Sequence, residues 1–467
     1  MNSDTIVSYA PATKRVIGEI SATHVESVPE SIKRAKAAQA DWKALPTQER
    51  CQRLLESAAV METRSDDLAH LLAEESGKIL PQSQFEVRIT IEFLRKIAES
   101  ANAYQPETIQ TDFSPALKRD HIVSRRVPYG VVVAILPFNF PVELYIEKAA
   151  AALAMGNAVI VKSPPQTPLV VQMMTDCLHQ GGIPKNVLQC LHGYADLGQA
   201  LTSSPGVDLI SLTGSTAAGI AVAANSAPHL PRLHLELGGN DPAILLEDAD
   251  LDLAAAQIVY GRTLMNGQTC ASNKRIIVHR SLHEGLAERL TEKLSKLAIG
   301  DPLDPASQLG PLIDPPSAQR VASQTKRILE QGGKLLHGKL EPDSAFLTPL
   351  LVGEVPKTAD VASDDEIFGP VLPLIPFDED SEAIEIANQS CYGLSGSVFS
   401  QDWERAESVA EQLEAGGVVL NGTGNYRPYI VPFGGVKMSG VGREGLGYTL
   451  EEMSQTRYTV WRNWRKD

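Results

Sequence analysis

Apolar, strand-like stretches alternate with helical ones from Val127 to about Leu237, and few folds accommodate this alternation. The pattern predicts a buried strand at "YGVVVAILP", a helix at "VELYIEKAAAALAMG" and a second strand at "NAVIVKSP". Two further helix–strand pairs follow and end at "VDLISLTGS". Strands that are connected by helices of this length pair in parallel, so we expect a doubly wound sheet. Such sheets bind ligands at the carboxyl ends of their strands.

A second α/β alternation follows "LHLELGGNDPAILL" and predicts a second domain with its own core. It includes helices over 282–298 and 380–389 and strands at "PLLVGEV" and "GGVVLNG". Helical spacing of apolar residues from Ser27 to about Ser100 predicts a helical layer before the first sheet. The tail "SQTRYTVWRNWRKD" has the composition of an edge strand that needs a partner. The predicted fold class is therefore α/β.

Composition and charge exclude several classes of protein. Hydrophobic residues make up 43% and charged residues 21% of the 467-residue chain, which is typical of a globular protein. The net charge of −15 disfavours binding to nucleic acid. The longest apolar stretches, 131–136 and 149–155, are shorter than the roughly 20 residues that span a bilayer, so no membrane helix is expected. The start "MNSDTIVSYA" lacks the pattern of a signal peptide, which predicts a cytoplasmic protein.

Cysteine usage points to one candidate nucleophile. The five cysteines contain no C-x-x-C pair, so we expect free thiols, no disulfide framework and no metal site. Cys270 lies in "NGQTCASNKR" among small and polar residues, where a carbonyl group has room to approach. Most free cysteines pack as small hydrophobes, and that interpretation of Cys270 stays open on local grounds.

Two other stretches carry groups that could assist a thiolate. Glu236 in "HLELGGN" stands between two leucines, and partial burial there would raise its pKa towards the range of a general base. Asn139 in "AILPFNFP" follows a buried strand, and its amide could donate a hydrogen bond to an oxyanion. The alternatives are a strand that points Glu236 at water and a turn asparagine between two prolines.

A phosphate-binding edge is a third expectation. In "LISLTGSTAAG" a strand leads through Gly214 into a helix, and backbone N–H groups at a helix start attract phosphate. Lys162 follows a strand in "VIVKSPPQTP", where its ammonium could bind a ribose or a phosphate. A glycine required by the turn and a solvated lysine are the competing explanations, and the G-x-G-x-x-G fingerprint is not present here.

Seven motifs, in this order along the chain, resemble those of the aldehyde dehydrogenase superfamily: "PFNFP", "VKSPPQTP", "LTGSTAAG", "LELGGN", "GQTCASNKR", "EIFGPV" and "PFGGVKMSGVGREG". The resemblance covers the chain from about residue 8 to its end. It implies oxidation of an aldehyde to the carboxylic acid with NAD(P) by a homodimer or homotetramer. The implied domains are a Rossmann-like cofactor domain (1–109 and 129–238), a catalytic domain (239–439) and a bridging β element for oligomerisation (110–128 and 440–467).

The same resemblance implies a role for each catalytic candidate. Cys270 would attack the aldehyde, and Asn139 with the Cys270 N–H would hold the oxyanion of the thiohemiacetal. Glu236 would activate the water that hydrolyses the thioester, while Lys148 and Glu444 match positions that the family associates with proton relay. The presence of Glu236 favours hydrolysis over acyl transfer to coenzyme A. A non-catalytic binding or structural protein of this fold is the other alternative.

The motifs also imply where the cofactor binds. The implied cofactor-side residues are Leu136, Pro137, Phe138, Lys162, Pro165, Gly198, Thr213, Gly214, Ser215, Leu237, Gly238, Glu366 and Phe368. Relatives that prefer NAD often carry a glutamate three residues after the ribose-side lysine, where this chain has Pro165. Without that carboxylate a 2′-phosphate meets less repulsion. We therefore predict that NADP is accepted and is a candidate for the preferred cofactor, with NAD as the alternative.

For the substrate, the resemblance implies that "NGTGNYRPYIVPFGG" lines the tunnel near Cys270. An arginine there could pair with an anionic tail, and the tyrosines could stack on a ring. The candidate substrate residues are Arg88, Tyr426, Arg427, Tyr429 and Phe433. Structural ion pairs are the alternative for both arginines. We predict a polar aldehyde, such as an anionic or aromatic semialdehyde of a catabolic pathway.

Overall fold

The computed structural model describes residues 4–464, so the outermost parts of the two predicted terminal segments, 1–3 and 465–467, lie outside the described residues. The helices in the described part are α1 (Val28–Ala44), α2 (Thr47–Thr63), α3 (Ser65–Ser76), α4 (Leu80–Ala103), α5 (Pro141–Ala154), α6 (Pro168–Gln180), α7 (Ala195–Thr202), α8 (Thr216–Ser226), α9 (Leu251–Thr263), α10 (His283–Ser295), α11 (Pro315–Glu330), α12 (Asp380–Asn388), α13 (Trp403–Ala410) and α14 (Tyr448–Glu452). The strands there are β1 (Thr5–Tyr9), β2 (Val16–Ser21), β3 (Glu107–Ile109), β4 (His121–Pro128), β5 (Val131–Ile135), β6 (Ala158–Ser163), β7 (Leu188–His192), β8 (Leu209–Thr213), β9 (Arg232–Glu236), β10 (Pro242–Leu245), β11 (Arg275–His279), β12 (Lys334–His337), β13 (Leu350–Gly353), β14 (Val371–Phe377), β15 (Tyr392–Gly393), β16 (Ser395–Phe399), β17 (Gly417–Leu420), β18 (Val436–Lys437), β19 (Gly440–Val441) and β20 (Ser454–Trp461).

A six-stranded sheet contains the first alternation, in the order β19-β9-β8-β5-β6-β7. Strands β5 to β9 pair in parallel, and β19 joins β9 antiparallel. Val132 and Ala134 of β5 pack against the layer of α2 to α6, whereas Val131 and Val133 pack against α1, α7 and α8. Helices therefore cover both faces, which explains why the central strand β5 is apolar throughout. The predicted doubly wound sheet is confirmed.

A seven-stranded sheet contains the second alternation, in the order β12-β13-β14-β11-β10-β16-β17. Its strands pair in parallel apart from β12, which joins β13 antiparallel. One face packs against α11, α12 and α13, and the other packs against α9 and α10. The second α/β unit that the sequence predicts is therefore present.

A three-stranded antiparallel sheet, β20-β4-β3, stands apart from both. The carboxyl-terminal strand forms its edge, with Ser454 opposite Pro128 and Trp461 opposite His121. Tyr458 on this strand is 70% exposed, and Trp461 and Trp464 nearby are 40% and 63% exposed. Strand β19 extends the six-stranded sheet, although the sequence-based boundary at residue 440 assigns it to the bridging element.

The two larger sheets meet at the candidate site. Asn139 follows β5, and its side chain contacts the loop between α9 and β11, which carries Cys270. Between residues 4 and 464, no helix combines the length and the hydropathy needed to cross a membrane. In the same range, no group of three or more His, Cys, Asp or Glu side chains is arranged to hold a metal ion.

Candidate active site

A turn with unusual backbone geometry precedes Cys270. Met265, Asn266 and Gly267 have φ angles of 48°, 56° and 76°, so three consecutive residues adopt the left-handed conformation. The Met265 N–H donates to Gln82 Oε1 at 3.0 Å. Residues other than glycine hold such conformations only where their surroundings impose them, often at functional sites. Contacts with surrounding residues therefore fix the conformation of the turn that leads to Cys270.

Cys270 is partly exposed, and the chain just before it is bonded to Asn139. Asn139 Nδ2 donates to the Gln268 carbonyl at 2.9 Å, which fixes this amide beside the cysteine loop. Burial raises the pKa of Cys270 to about 11, although the nearby cations of Lys274 and Arg427 oppose the shift. The thiol therefore carries its proton at neutral pH, and attack on a carbonyl requires removal of that proton.

Glu236 ends β9 and is 3% exposed. Neither of its carboxylate oxygens has a hydrogen-bond partner among the described residues. Burial and the negative charge of Glu444 raise the pKa of Glu236 well above its usual range, while Lys148 and Arg427 act in the opposite direction. A buried carboxyl group that is unpaired and has a high proton affinity has the properties of a general base.

A buried ion-pair network includes two of the candidate residues. Lys148 Nζ donates to Glu444 Oε1 at 2.5 Å, and Arg427 Nη2 donates to Glu444 Oε2 at 3.0 Å. The same Nη2 lies 3.4 Å from Glu147 Oε2. Although burial acts against it, Lys148 and Arg427 lower the pKa of Glu444 to about 2. Glu444 is therefore ionised at neutral pH, and Arg427 is held between two carboxyl groups.

The carboxyl edge of the six-stranded sheet carries unpaired polar groups. Lys162 in β6 is 7% exposed, and its ammonium makes no hydrogen bond or ion pair within the described chain. Burial lowers its pKa to about 8, and Asp196 opposes the shift. Thr213 Oγ1 at the end of β8 is also buried without a partner among residues 4–464. Ser215 Oγ accepts from the Ala218 N–H at 3.2 Å and caps the start of α8.

These groups fit an anionic, hydroxyl-rich ligand at the strand ends on either side of β5, because a buried lysine and a helix start both favour negative charge. The remaining cofactor-side candidates lie along the same edge: Leu136 and Pro137 after β5, Pro165 after β6, Gly198 in α7, Gly214 after β8 and Leu237 after β9. The structure thus brings together residues that are spread over about a hundred positions of the sequence.

Glu366 and Phe368 reach this edge from the second unit. A Cβ atom on Gly238 would lie 2.3 Å from Glu366 Oε2, so only glycine allows this approach. Lys274 Nζ lies 2.9 Å from Glu366 Oε1 and holds the carboxylate in place. The rings of Phe138 and Phe368 meet edge to face, with centroids 6.0 Å apart. The structure therefore joins both residues to the sheet edge that the sequence assigns to the cofactor.

The profile of the aldehyde dehydrogenase family matches residues 1–459. The chain belongs to this family. It is 35% identical to the glutarate-semialdehyde dehydrogenase of Pseudomonas putida, over 98% of this chain and 94% of that protein. It is 33% identical to the sulfoacetaldehyde dehydrogenase of Neptuniibacter caesariensis, over 98% of this chain and 100% of that protein.

A solved structure agrees with these relatives. The NADP-dependent glyceraldehyde-3-phosphate dehydrogenase from Bacillus halodurans, in complex with NADP, matches with a TM-score of 0.95 and 36% identity, over 98% of this chain and 96% of that chain. The family and fold expected from the seven motifs are confirmed. This aldehyde dehydrogenase oxidises an aldehyde to the carboxylic acid with NAD(P).

The two candidate tyrosines of this aldehyde dehydrogenase differ in their surroundings. Tyr429 stacks on Phe93 of α4 with ring centroids 5.2 Å apart, and its hydroxyl donates to Glu92 Oε1 at 2.7 Å. Tyr426 is 70% exposed. Tyr429 therefore anchors the loop that contains both tyrosines to α4, whereas the ring of Tyr426 is free to contact a ligand.

The two candidate arginines differ as well. Arg427 makes the ion pairs that the sequence left as an alternative, and its guanidinium lies 4.0 Å from the ring centroid of Phe433. Arg88 is exposed on α4, 5.3 Å from the Phe85 ring centroid, and has no carboxylate partner among the described residues. The ion-pair alternative therefore describes Arg427 and not Arg88.

Sequence reasoning missed two charged residues of the enzyme's site. Lys274 is buried, and its ammonium donates to the carbonyl groups of Gly239 and Cys270 while it pairs with Glu366. Its position four residues after Cys270 in a recognised motif was a usable signal. Glu147 is marked by nothing in the sequence, because its importance depends on contact with Arg427, 280 positions away.

Proposed function

We propose that Cys270 attacks the carbonyl carbon of the aldehyde after its thiol proton passes to a base, which forms a thiohemiacetal. Asn139 Nδ2 and the Cys270 N–H donate to the resulting oxyanion. The placement of Asn139 supports this role, because one of its amide hydrogens is bonded to Gln268 and the second is available. When bound, NAD(P) supplies the hydride acceptor that converts the thiohemiacetal into a thioester.

We further propose that Glu236 removes a proton from the water that attacks the thioester carbonyl, so that the C–S bond breaks and the acid leaves. The observation that carries this proposal is the buried Glu236 carboxyl group, whose two oxygens have no protein partner among the described residues. The same unpaired base favours water over coenzyme A as the acyl acceptor. A single-turnover measurement on Glu236→Gln enzyme tests the assignment.

We propose that Lys148 and Glu444 form a proton relay. Glu444 is tied to Lys148 and ionised, and its negative charge raises the proton affinity of Glu236. A proton that Glu236 takes from water would leave towards this pair. Arg427 positions Glu444 in this arrangement through its own hydrogen bond to the second carboxylate oxygen.

For the architecture, we propose a cofactor domain (1–109 and 129–238), a catalytic domain (239–439) and a bridging element (110–128 and 440–467). We call the three-stranded sheet β20-β4-β3 the bridging sheet. The exposed aromatic residues on and beside β20 support a homodimer or homotetramer formed through this sheet: Tyr458, Trp461 and Trp464. We also propose a cytoplasmic location. The five cysteines are free, as is usual in a reducing compartment.

For the cofactor, we propose NADP as the preferred form, held by Lys162, Thr213, Ser215 and Glu366. Pro165 offers no carboxylate to repel a 2′-phosphate. The expected result is a kcat/KM for NADP at least equal to that for NAD, and Pro165→Glu should shift the ratio about tenfold towards NAD, because it adds a negative charge beside the 2′ position.

Gln180→Glu is the matched control, since it adds the same charge to an exposed residue at the far end of α6, about 18 Å along the helix from Pro168 and beyond the Debye length, and should leave the ratio within about twofold of the wild-type value. Initial rates of reduced-cofactor formation at varied NADP and NAD give both constants. A wild-type preference for NAD of a hundredfold or more would contradict the proposal.

For the substrate, we propose a polar aldehyde, with Arg88 as the contact for an anionic tail. Arg427 is the earlier candidate, but its Nη2 already bonds to Glu444 and lies near Glu147. Arg88 has no carboxylate partner in the described chain. Glu92, one helical turn further along α4, accepts a hydrogen bond from Tyr429, in the loop that also contains Tyr426. The names of two relatives describe aldehydes with a carboxylate or a sulfonate.

Arg88→Gln is therefore expected to raise KM for succinic semialdehyde about tenfold and to leave KM for a neutral aldehyde unchanged, because only the anionic tail loses an ion pair. Initial rates of NADPH formation with both aldehydes give the comparison. Arg95→Gln, on the same helix, is the matched control. If Arg427→Gln raises KM for succinic semialdehyde selectively and Arg88→Gln does not, Arg427 rather than Arg88 is the contact for the anionic tail.

A further inference from the structure

A groove of about 840 Å³ lies between the helical layer and the bridging sheet. Its walls are the turn between α1 and α2, the end of α4, the end of β4 and the beginning of β20. None of the residues that we assign to Cys270 chemistry, to the cofactor or to the aldehyde lines it. Five cations do line it, and we call it the basic groove: Lys43, Arg50, Arg125, Arg126 and Arg457.

Two of these cations oppose each other across the sheet. Arg125 of β4 is the register partner of Arg457 of β20. Both are exposed, and neither makes a hydrogen bond or an ion pair within the described part of the chain. Like charges directly opposite each other destabilise an antiparallel pair. Arg125 and Arg457 therefore repel each other, and a bound anion would offset this repulsion.

Two other cations are held by neutral acceptors. Arg50 is 7% exposed, and its guanidinium donates to the carbonyl groups of Ala154 and Leu45 and to Thr47 Oγ1. A guanidinium that is buried with uncharged acceptors keeps its full positive charge in the groove wall. Its carbonyl partners also fix its position, so the charge does not depend on side-chain rearrangement.

Arg126 repeats this arrangement on the bridging sheet. Its Nε donates to Ser454 Oγ at 2.9 Å, and its Nη2 donates to the backbone carbonyl of Ser454 at 2.6 Å. Its Nη1 donates to Thr456 Oγ1 at 3.3 Å. Lys43 completes the set, and its ammonium has no partner among residues 4–464. None of the five cations thus makes an ion pair with a carboxylate among the described residues.

The groove is positively charged, whereas the whole chain is negatively charged. The protein carries a net charge of −15, yet no aspartate or glutamate of the described residues lines the groove. A concave surface lined by one sign of charge concentrates the field and attracts counter-ions. Pockets of roughly 300–1,000 Å³ are typical of small-molecule sites, so the volume fits a compact ligand.

We propose that the basic groove is a binding site for a small phosphate compound with several negative charges. The guanidinium fork matches the oxygens of a phosphate group, and Arg125 and Arg457 have their forks free. Gln455 adds a neutral donor to the lining, since one of its amide hydrogens is bonded to the Pro128 carbonyl and the second is available. This site is separate from aldehyde oxidation and does not rest on the roles proposed for Cys270 and Glu236.

The test uses pyrophosphate as the probe and isothermal titration calorimetry at low ionic strength. The enzyme carries one equivalent of NADP, so that Lys162 and the cofactor side are occupied. We expect one pyrophosphate per chain, with an affinity that falls as salt rises, because salt screens exposed charges. Arg125→Gln/Arg457→Gln enzyme should bind at least ten times more weakly.

Arg320→Gln/Lys339→Gln is the matched control, because it removes two exposed cations of residues 239–439 that, like Arg125 and Arg457, make no ion pair among the described residues, and it produces the same net charge. It should bind pyrophosphate with the wild-type affinity. Lys43→Gln, at the end of α1, serves as the second variant if the double substitution in the sheet impairs folding. It is expected to weaken binding severalfold.

Three results would overturn the proposal. The first is the absence of pyrophosphate binding to the wild-type enzyme. The second is equal affinity in the groove variant and the control variant, which would assign binding to general electrostatic attraction. The third is a change of oligomeric state in Arg125→Gln/Arg457→Gln enzyme with no loss of pyrophosphate affinity, because the groove would then face a second copy of the chain.

Discussion

Cys270→Ala enzyme is expected to lose aldehyde oxidation, with kcat/KM reduced on the order of 10⁴-fold or more, because no other group can form the covalent intermediate. The thiol is the nucleophile in the proposed mechanism, and hydride transfer depends on the thiohemiacetal that it forms. The loss is measured as initial rates of NADPH formation over a range of aldehyde concentrations at saturating NADP. NADP affinity, measured by fluorescence titration, should stay within about threefold of the wild-type value, since the cofactor contacts that we propose lie on the sheet edge.

Cys391→Ala is the matched control for this substitution. Cys391 is also a free and partly exposed cysteine, but none of the roles in the mechanism falls on it. Its replacement should leave kcat/KM essentially unchanged. Aldehyde oxidation that survives in Cys270→Ala enzyme at more than about a hundredth of the wild-type rate would contradict a covalent mechanism through this thiol.

Glu236→Gln enzyme is expected to form about one NADPH per active site in a rapid burst and then to turn over slowly. The amide keeps the size of the carboxyl group but cannot accept a proton, so the thioester forms and persists. A fall of kcat of roughly 10²–10⁴-fold is expected for the loss of a general base. Stopped-flow absorbance gives the burst, and mass spectrometry of the intact protein detects the acyl group on Cys270.

Two controls separate this result from other causes. Glu247→Gln replaces an exposed carboxylate outside the site and should show wild-type turnover without a burst. Addition of coenzyme A to wild-type enzyme should leave the free acid as the product. Unchanged turnover in Glu236→Gln enzyme, or an acyl-coenzyme A product from the wild-type enzyme, would remove Glu236 from its role as the base for hydrolysis.

The fold was largely predictable because its signals are local. Strands β5, β6 and β8 of the six-stranded sheet are largely apolar runs, and the helices between them show helical spacing, so the order of these elements follows from neighbours in the sequence. Parallel pairing follows from the length of the connections. Pairing between distant segments is less accessible to such reasoning, because β19 pairs with β9 more than two hundred positions earlier.

The candidate site was predictable where a motif carried it. Cys270, Glu236 and Asn139 each stand in a short stretch that the family shares, and their order along the chain identified them together. The arginines were different, since no local pattern distinguishes a substrate contact from an ion pair. Arg427 forms ion pairs with Glu147 and Glu444, whereas Arg88 has no carboxylate partner among the described residues. Both outcomes depend on packing between segments that are distant in the sequence.

The amino-acid sequence alone was sufficient for the α/β fold class, the family and the candidate nucleophile, because these depend on local periodicity and on the order of short motifs. Only the folded chain decides the charge states of the site. The raised pKa of Glu236 and the ionised Glu444 arise from burial and from charges that lie far apart in sequence. The five cations of the basic groove likewise come from four separate segments, and only tertiary packing places them on one surface without carboxylates among the described residues.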